Sequence, residues 1–189
     1  MRVIILHGRL RSYLAFFCLL SLSTLTHSHE INIDGKLDDP SWDLAEEYTK
    51  FYESFPFTLK TPSSFQKVLI LEDSNGIYFG FINQQEKEQV RANKHERYDE
   101  MSNADKVGVS IDFDGNGLVA YSFSVSAGGS ISDGIYRNEN EINYDWDADW
   151  KSDVYIDEDY WFAEIFIPWT IAPMKSIDGP SRAVKLNFW

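Results

Sequence analysis

The sequence has only one cysteine, Cys18, among its 189 residues. The chain therefore cannot form an internal disulfide or build a metal site from several cysteines. Histidine is also scarce, and His95 is the only histidine after residue 29. A Ser-His-Asp catalytic set is not supported by so few histidines. The chain contains no Gly-x-Ser-x-Gly, no His-Glu-x-x-His and no phosphate-binding glycine loop.

Basic residues are outnumbered by acidic ones. The sequence contains 17 Lys and Arg residues and 30 Asp and Glu residues, which gives a net charge of −13. Binding to nucleic acid or to anionic lipid depends on basic side chains that displace counterions from phosphates. The charge therefore excludes nucleic acid as a partner.

The first 28 residues have the features of a secretory signal. Three arginines and no acidic residue precede an apolar run at residues 13–22, which is shorter than the roughly 20 apolar residues that span a bilayer. Thr26 and Ser28 provide the small-x-small pattern of a signal-peptidase site, which predicts residues 1–28 as a cleaved signal peptide. Cleavage would remove three arginines and no acid, and the net charge of −13 would become −16. We expect an exported protein that is periplasmic, associated with the outer membrane or secreted; an N-terminal membrane anchor is the alternative.

Alternating apolar and polar residues dominate the rest of the chain, and this alternation is typical of half-buried strands. Residues 107–113 and 119–125 alternate on either side of a turn rich in Gly, Asn and Asp, which predicts a β-hairpin. Two further hairpins are predicted at residues 66–82 and 153–167, and a last strand at residues 183–188.

Helix signals are few. Asp39 and Pro40 favour one short helix near the N-terminus, whereas Lys87–Arg97 is expected to be a charged loop or a loose helical turn. Many short strands with almost no helix predict an all-β fold, a jelly-roll-like β-sandwich of antiparallel strands with one short N-terminal helix. Residues 29–189 are expected to form one domain. Its C-terminus is expected to be truncated, because the sequence ends within an apolar strand pattern.

Three tryptophans are predicted to lie in the core, namely Trp42, Trp161 and Trp169. Trp161 begins an alternating apolar row that continues through residues 163, 165 and 167. Phe162 and Phe166 occupy the other face, so this strand is expected to be covered on both sides.

Three motifs follow one another along residues 31–189. Residues 33–45 read IDGKLDDPSWDLA, residues 105–112 read DKVGVSID, and residues 159–169 read DYWFAEIFIPW. In this order they resemble the I-D-G-x-x-D-x-x-W-x-x-A opening, the D-x-V-x-V-x-x-D strand and the G-x-x-x-E-x-x-I-P-W strand of the family 9 carbohydrate-binding modules. The resemblance implies a sugar-binding β-sandwich of secreted polysaccharide-degrading systems. Such a module accompanies a catalytic domain or, in a related layout, precedes an outer-membrane barrel.

The same resemblance implies where a sugar would bind. Members of that family hold a sugar between two aromatic rings. One ring comes from just before the D-x-V strand, where Tyr98 is the candidate. The other comes from the segment after the last strand, and the sequence stops there at Trp189, so the pocket is expected to be incomplete. Gly108, Ser124 and Ser126 occupy pocket positions where the resemblance implies longer side chains, so the pocket is expected to be altered.

The densest group of aromatic and acidic residues is Tyr-Asp-Trp-Asp-Ala-Asp-Trp at residues 144–150. Aromatic faces pack against the apolar face of a pyranose, and carboxylates accept hydrogen bonds from its hydroxyls. We therefore predict sugar contacts from Trp146, Trp150, Asp147 and Asp149. The alternative is that one of the two indoles fills the bottom of the sandwich while the carboxylates are solvated.

Two charged loops are further candidates for ligand or metal binding. Arg97 and Asp99 would line a ligand loop or, equally, belong to an exposed loop of ion pairs. Residues 112–117 read DFDGNG and resemble the start of a calcium loop, but the twelfth position is Phe123, where an EF-hand requires Glu. A plain hairpin turn is favoured. We predict no cofactor, and a structural calcium ion elsewhere stays open.

The function that the sequence favours is non-catalytic binding of a polysaccharide or oligosaccharide by an accessory module for polysaccharide catabolism. Two other functions stay open: a docking domain ahead of an outer-membrane barrel, and a module of a glycoside hydrolase. Glycoside hydrolysis requires only two carboxylates about 5–10 Å apart. Glu164, in the middle of a strand, is the first catalytic candidate, although an ion pair with Lys or Arg at the sandwich edge is favoured for it.

Overall fold

The computed structural model describes residues 2–7, 31–54, 56–93, 103–137, 141–176 and 181–189. Short 3₁₀ helices lie at Pro40–Leu44, Lys87–Gln89 and Trp169–Ile171. The strands are β1 (Arg2–His7), β2 (Glu46–Tyr48), β3 (Gln66–Glu72), β4 (Gly76–Gln84), β5 (Lys106–Asp112), β6 (Val119–Ser126), β7 (Ile131–Arg137), β8 (Glu141–Asn143), β9 (Lys151–Ile156), β10 (Tyr160–Pro168) and β11 (Ser181–Phe188).

The strands form two antiparallel sheets. The six-stranded sheet has the order β1-β11-β5-β6-β7-β8, and the five-stranded sheet has the order β2-β3-β4-β10-β9. Alternate residues of both sheets meet in one core, whose fully buried side chains include Phe79, Phe123, Ile111 and Ile165. This arrangement confirms the predicted all-β fold, a β-sandwich of antiparallel strands.

The three predicted hairpins are all present, as the pairs β3–β4, β5–β6 and β9–β10. In the β5–β6 turn, the Asp112 carboxylate accepts backbone N–H groups from Asp114 at 3.1 Å and Gly117 at 2.6 Å. Asp114 in turn accepts a hydrogen bond from Arg182 at 3.0 Å. Donors of the protein therefore engage both carboxylates of this hairpin turn.

The tryptophans predicted in the core divide between three environments. Trp161 is 3% exposed in the main core, and Trp42 is 5% exposed in a second cluster. Trp169 packs half-buried against the main core, and its indole N–H donates to the carbonyl of Asp73 at 2.8 Å. The prediction of a core position is thus confirmed for Trp161 and Trp42, and Trp169 lies at the margin.

Residues 31–45 cover the outer face of the five-stranded sheet. Ile31 and Trp42 pack there against Leu69 and Tyr78. The predicted short helix is the 3₁₀ helix Pro40–Leu44, but the side chain of Asp39 does not cap it. That carboxylate accepts the backbone N–H of Asn32 at 3.0 Å instead. This hydrogen bond joins two parts of the covering segment 31–45.

Glu164 of β10 lies beneath this covering segment with no exposed surface. One carboxylate oxygen accepts the backbone N–H groups of Asp34 and Gly35, each at 2.9 Å, and the other accepts the Trp42 indole N–H at 3.0 Å. Gly35 is required there because its φ is +83° and a Cβ would lie 2.5 Å from the backbone of Val154. Both expectations for Glu164 are therefore wrong. It pairs with N–H groups rather than Lys or Arg, and its burial removes it from any substrate.

Burial raises the pKa of Glu164 to about 7 from its ordinary value of 4.5, although the three N–H donors act in the opposite direction. Folding thus favours the protonated form. Its contribution to stability is complete below the unfolded pKa and is lost as the pH rises through about 7. Between pH 4.5 and 8 the native chain should lose up to about 3 kcal/mol relative to the Glu164→Gln variant. Denaturant unfolding of both proteins across this range measures the difference, and parallel stability curves would contradict it.

β1 comprises residues that the sequence assigns to the signal peptide. Its backbone pairs with β11 from Arg2 opposite Leu186 to His7 opposite Ser181. In the ranges that the structure describes, no helix is long and apolar enough to cross a membrane. Signal cleavage and export stay predictions.

Candidate functional site

The outer face of the six-stranded sheet carries a trough with a floor of small residues. In the register of β5, β6 and β7, Ser110 lies opposite Ser122, Gly108 opposite Ser124, and Ser124 opposite Ser132. Because these side chains are short, larger neighbours enclose a cavity of about 380 Å³ above them, within the range of small-ligand sites. The trough is lined by Lys106, Ser110, Ser122, Ser124, Ser132, Asp133, Tyr136, Ile142, Tyr144, Asn187 and Trp189.

Trp189 forms one wall of the trough. Its backbone continues the pairing of β11 with β5, since Gly108 and Trp189 exchange N–H···O bonds of 2.9 and 3.2 Å. The indole lies directly over Gly108, where a Cβ would come within 2.5 Å of the ring. The ring is 42% exposed, and the Lys106 ammonium lies 5.4 Å from its centre. The missing side chain at position 108 thus makes room for a fixed, accessible aromatic surface.

The floor of the trough presents hydroxyls that are available for hydrogen bonding. Ser110 is 9% exposed and Ser122 is 4% exposed, and neither hydroxyl has a hydrogen-bond partner among the described residues. Ser124 makes only a long bond, to the carbonyl of Ser132 at 3.3 Å. Because buried polar groups are normally paired, these hydroxyls indicate a site that a polar ligand or ordered water completes.

The opposite wall is aromatic and the trough has little charge. Tyr136 and Tyr144 line this wall, and Tyr144 is 37% exposed. Lys106 is the one cation among the described lining residues. The Asp133 carboxylate accepts the Trp150 indole N–H at 2.9 Å and the Ala148 backbone N–H at 3.1 Å, so it is already engaged. Aromatic walls around neutral hydroxyls suit a ligand with both apolar faces and hydroxyl groups.

The two tryptophans predicted to contact sugar do not form this site. Trp150 is 7% exposed, and its ring packs 5.5 Å from that of Phe123 in the core. Trp146 is half-buried against the same core, with ring distances of 5.1 Å to Tyr121 and 5.8 Å to Phe123. Both indoles lie under the inner face of the six-stranded sheet. Trp150 is thus a core residue, as in the alternative that the sequence left open for one of the two indoles.

The remaining predicted contacts lie elsewhere or outside the described residues. Asp147 and Asp149 are exposed on the segment between β8 and β9 and do not belong to the lining of the trough. Tyr98 and Arg97, together with Asp99, fall in residues 94–102, which lie outside the described residues. From the segment 144–150, Tyr144 is the aromatic residue that reaches the trough.

Sequence reasoning missed the role of the serines and of Trp189. The alternation of Ser122, Ser124 and Ser126 with apolar residues predicts only that β6 is a strand. The family resemblance marks Gly108, Ser124 and Ser126 only as positions that lack longer side chains. A run of small hydroxyl residues on one strand face, next to a glycine and a late aromatic residue, was the signal that could have located the trough.

No group of three or more His, Cys, Asp and Glu side chains that could hold a metal ion occurs within the described part of the chain. The absence of a cofactor stays a prediction. The question of a structural calcium ion stays open.

Comparison with protein-family models and with the curated proteins finds no match. Solved structures do match. The chain is similar to a family 9 carbohydrate-binding module from Caldicellulosiruptor kristjanssonii in complex with glucose, with a TM-score of 0.57 and 15% identity over 84% of this chain and 72% of that one. The cellotriose complex of a family 9 module from the same organism matches with the same TM-score and identity, over 84% and 71% of the two chains.

A Bacteroides uniformis protein described as carbohydrate-binding matches with a TM-score of 0.56 and 13% identity, over 78% of this chain and 72% of that one. The chain therefore has the fold of the family 9 carbohydrate-binding modules. This confirms the fold that the three sequence motifs implied.

Proposed function

We propose that this protein binds carbohydrate without catalysis and that the trough on the six-stranded sheet is the binding site. The observation that carries the proposal is the pairing of the exposed Trp189 ring with the free hydroxyls of Ser110 and Ser122. A pyranose has apolar C–H faces and a rim of hydroxyls, so it fits between an aromatic wall and a polar floor.

A non-catalytic role is supported by the chemistry of the trough. Glycoside hydrolysis generally needs two carboxyl groups on either side of the scissile bond. Asp133 is the one carboxylate among the described lining residues, and Trp150 and Ala148 already donate to it. The buried Glu164 lies on the other sheet.

The ligand class follows from the charge and from the comparisons. The protein has a net charge of −13, which repels anionic polymers, so we propose a neutral glycan. The structurally similar modules from Caldicellulosiruptor kristjanssonii are complexes with glucose and cellotriose. Glucose-containing oligosaccharides are therefore the first ligands to test.

The proposed setting is polysaccharide catabolism outside the cytoplasm. The basic residues and apolar run of residues 1–28 support export, and the fold supports a role as accessory module to a catalytic domain or an outer-membrane protein. If the protein bound no glycan, a docking domain ahead of an outer-membrane barrel would become the better account of its function.

Titration calorimetry with glucose, cellotriose and a panel of neutral oligosaccharides tests the proposal. We expect binding of at least one neutral sugar with no release of product on long incubation. Failure of every sugar to bind the folded protein would overturn the carbohydrate function, and release of shortened sugars would overturn its non-catalytic character.

Gly108→Ala should weaken this binding. The added Cβ would displace the Trp189 ring, which lies within 2.5 Å of its position. We expect roughly a fivefold loss of affinity, because a misplaced ring gives up about 1 kcal/mol of contact. Calorimetry measures the loss, and thermal unfolding checks that the variant stays folded. Unchanged affinity would show that the ring position over Gly108 does not matter for binding.

A further inference from the structure

A separate cavity opens between the two sheets at one end of the sandwich. Its volume is about 320 Å³, whereas roughly 150 Å³ is enough to hold benzene in an apolar protein cavity. On β5, the core residue Val107 lines this inter-sheet cavity, while Gly108, beneath the Trp189 ring, belongs to the outer face. Among the described residues, Lys106 and Trp189, at the end of the six-stranded sheet, line both this cavity and the trough. The two cavities therefore lie on opposite faces of β5.

The floor of the inter-sheet cavity is apolar and partly aromatic. It is formed by four core residues that are each at most 5% exposed, namely Val68, Phe81, Val107 and Trp161. The half-buried ring of Phe51 lies beside them, and it packs edge-on against Tyr48 with 5.3 Å between the ring centres. An aromatic ring of a ligand would find aromatic and aliphatic partners on this floor.

Two side-chain amides lie above this floor. Gln66 and Asn83 are opposite each other on β3 and β4, and both line the cavity. Asn83 is 8% exposed, and its side-chain N–H makes only a long bond of 3.4 Å to the carbonyl of Trp161. Among the described residues, no donor reaches the Asn83 side-chain oxygen, and the Gln66 amide makes no hydrogen bond. A buried acceptor without a donor is costly, and a ligand amide or hydroxyl, which both donates and accepts, would satisfy it.

The charged side chains around the inter-sheet cavity are already engaged. The Lys67 ammonium lies 2.8 Å from the carboxylate of Glu47, and the Asp105 carboxylate lies 2.6 Å from the guanidinium of Arg91. The ammonium of Lys106 lies over the indole of the trough wall, 5.4 Å from its centre. A charged ligand would therefore lose its hydration without gaining a free partner of opposite charge, so the cavity favours a neutral molecule.

We infer that the inter-sheet cavity is a second ligand site, for a small neutral molecule with an aromatic body and an amide or hydroxyl head. The aromatic body packs on the apolar floor, and the head pairs with the amides of Asn83 and Gln66. This site goes beyond the proposed function and does not depend on it. Failure of sugar binding in the trough would leave the second site intact, and the reverse also holds.

NMR titration of the ¹⁵N-labelled protein, followed at the side-chain amide signals of Asn83 and Gln66, tests the inference. The probes are benzamide and benzyl alcohol, which differ in the neutral head, toluene, which lacks the head, and benzoate and benzylamine, which carry a charge. Benzamide or benzyl alcohol should shift both signals saturably, and the better of the two identifies the head group. The other three probes should bind at least tenfold more weakly. Equal binding of toluene or of a charged probe, or no shift with any of the five, would overturn the inference.

Gln66→Leu removes one of the two amides at a half-buried position and keeps an apolar side chain there. It should weaken binding of the better neutral probe about tenfold. Ser122→Ala, on the floor of the trough, is the control and should leave the affinity for this probe unchanged. Asn83→Leu gives the same test if thermal unfolding shows that Gln66→Leu does not fold. Undiminished probe affinity in the folded amide variant would contradict the pairing of the head with these amides.

Discussion

Trp189→Ala is expected to weaken glycan binding at least thirtyfold. The indole is the large aromatic wall of the trough, and its removal takes away the surface on which a sugar ring packs. Aromatic residues at the centre of binding sites typically contribute about 2 kcal/mol or more, which corresponds to this factor. The ring is 42% exposed, so thermal unfolding should change little. Calorimetry with the best neutral oligosaccharide measures the effect.

Tyr155→Ala provides the matched control. Tyr155 is 40% exposed, but it lies on β9 of the opposite sheet, where its ring stacks 6.3 Å from that of Phe162. Its removal should leave affinity unchanged. If Tyr155→Ala weakened binding while Trp189→Ala did not, the sugar site would belong to the five-stranded sheet.

Glu164→Ala is expected to destabilise the protein by about 4 kcal/mol or more. Three buried N–H donors, from Asp34, Gly35 and Trp42, would lose their acceptor, and each unpaired donor costs about 1–3 kcal/mol. For a protein of this size such a loss lowers the melting temperature by roughly 10 °C. Scanning calorimetry measures the shift.

The exposed Glu158 is the control for this substitution. Its side chain lies in the turn before β10, so Glu158→Ala should change the melting temperature by only a degree or two. Glu164→Ala with native stability and lost sugar binding would contradict the structural role given to Glu164. The folded fraction of the Glu164→Ala variant should bind sugar with the affinity of the native protein, since the trough is on the other sheet.

The fold could be predicted because its signals are local. Alternation in residues 107–113 and 119–125 gives β5 and β6, and the turn residues between them give the hairpin. The face of Trp161 was also readable, because a row of apolar residues at every second position has to be buried. What alternation does not supply is the partner of a polar residue. Glu164 interrupts an apolar strand. Asp34, whose backbone N–H donates to its carboxylate, lies 130 residues earlier in the chain.

The candidate site was harder to predict because it depends on which sheet face stays open. Trp146 and Trp150 lie among aspartates, which suggested solvent exposure, but Asp133 of β7 pairs with the Trp150 indole and allows its burial. Trp189 follows an apolar strand and could equally have been core. Only the pairing of β11 with β5 places its ring above Gly108. Long-range register of this kind is not encoded in any short motif.

The most direct measurement is the mapping of amide chemical shifts by NMR during titration with cellotriose or the neutral oligosaccharide that binds best. Saturable shifts should concentrate at Gly108, Ser110, Ser122 and Ser124 and at the Trp189 indole N–H. The amides of the five-stranded sheet should not shift. Shifts confined to β9 and β10, or no shifts at saturating sugar, would contradict a binding site in the trough on the six-stranded sheet.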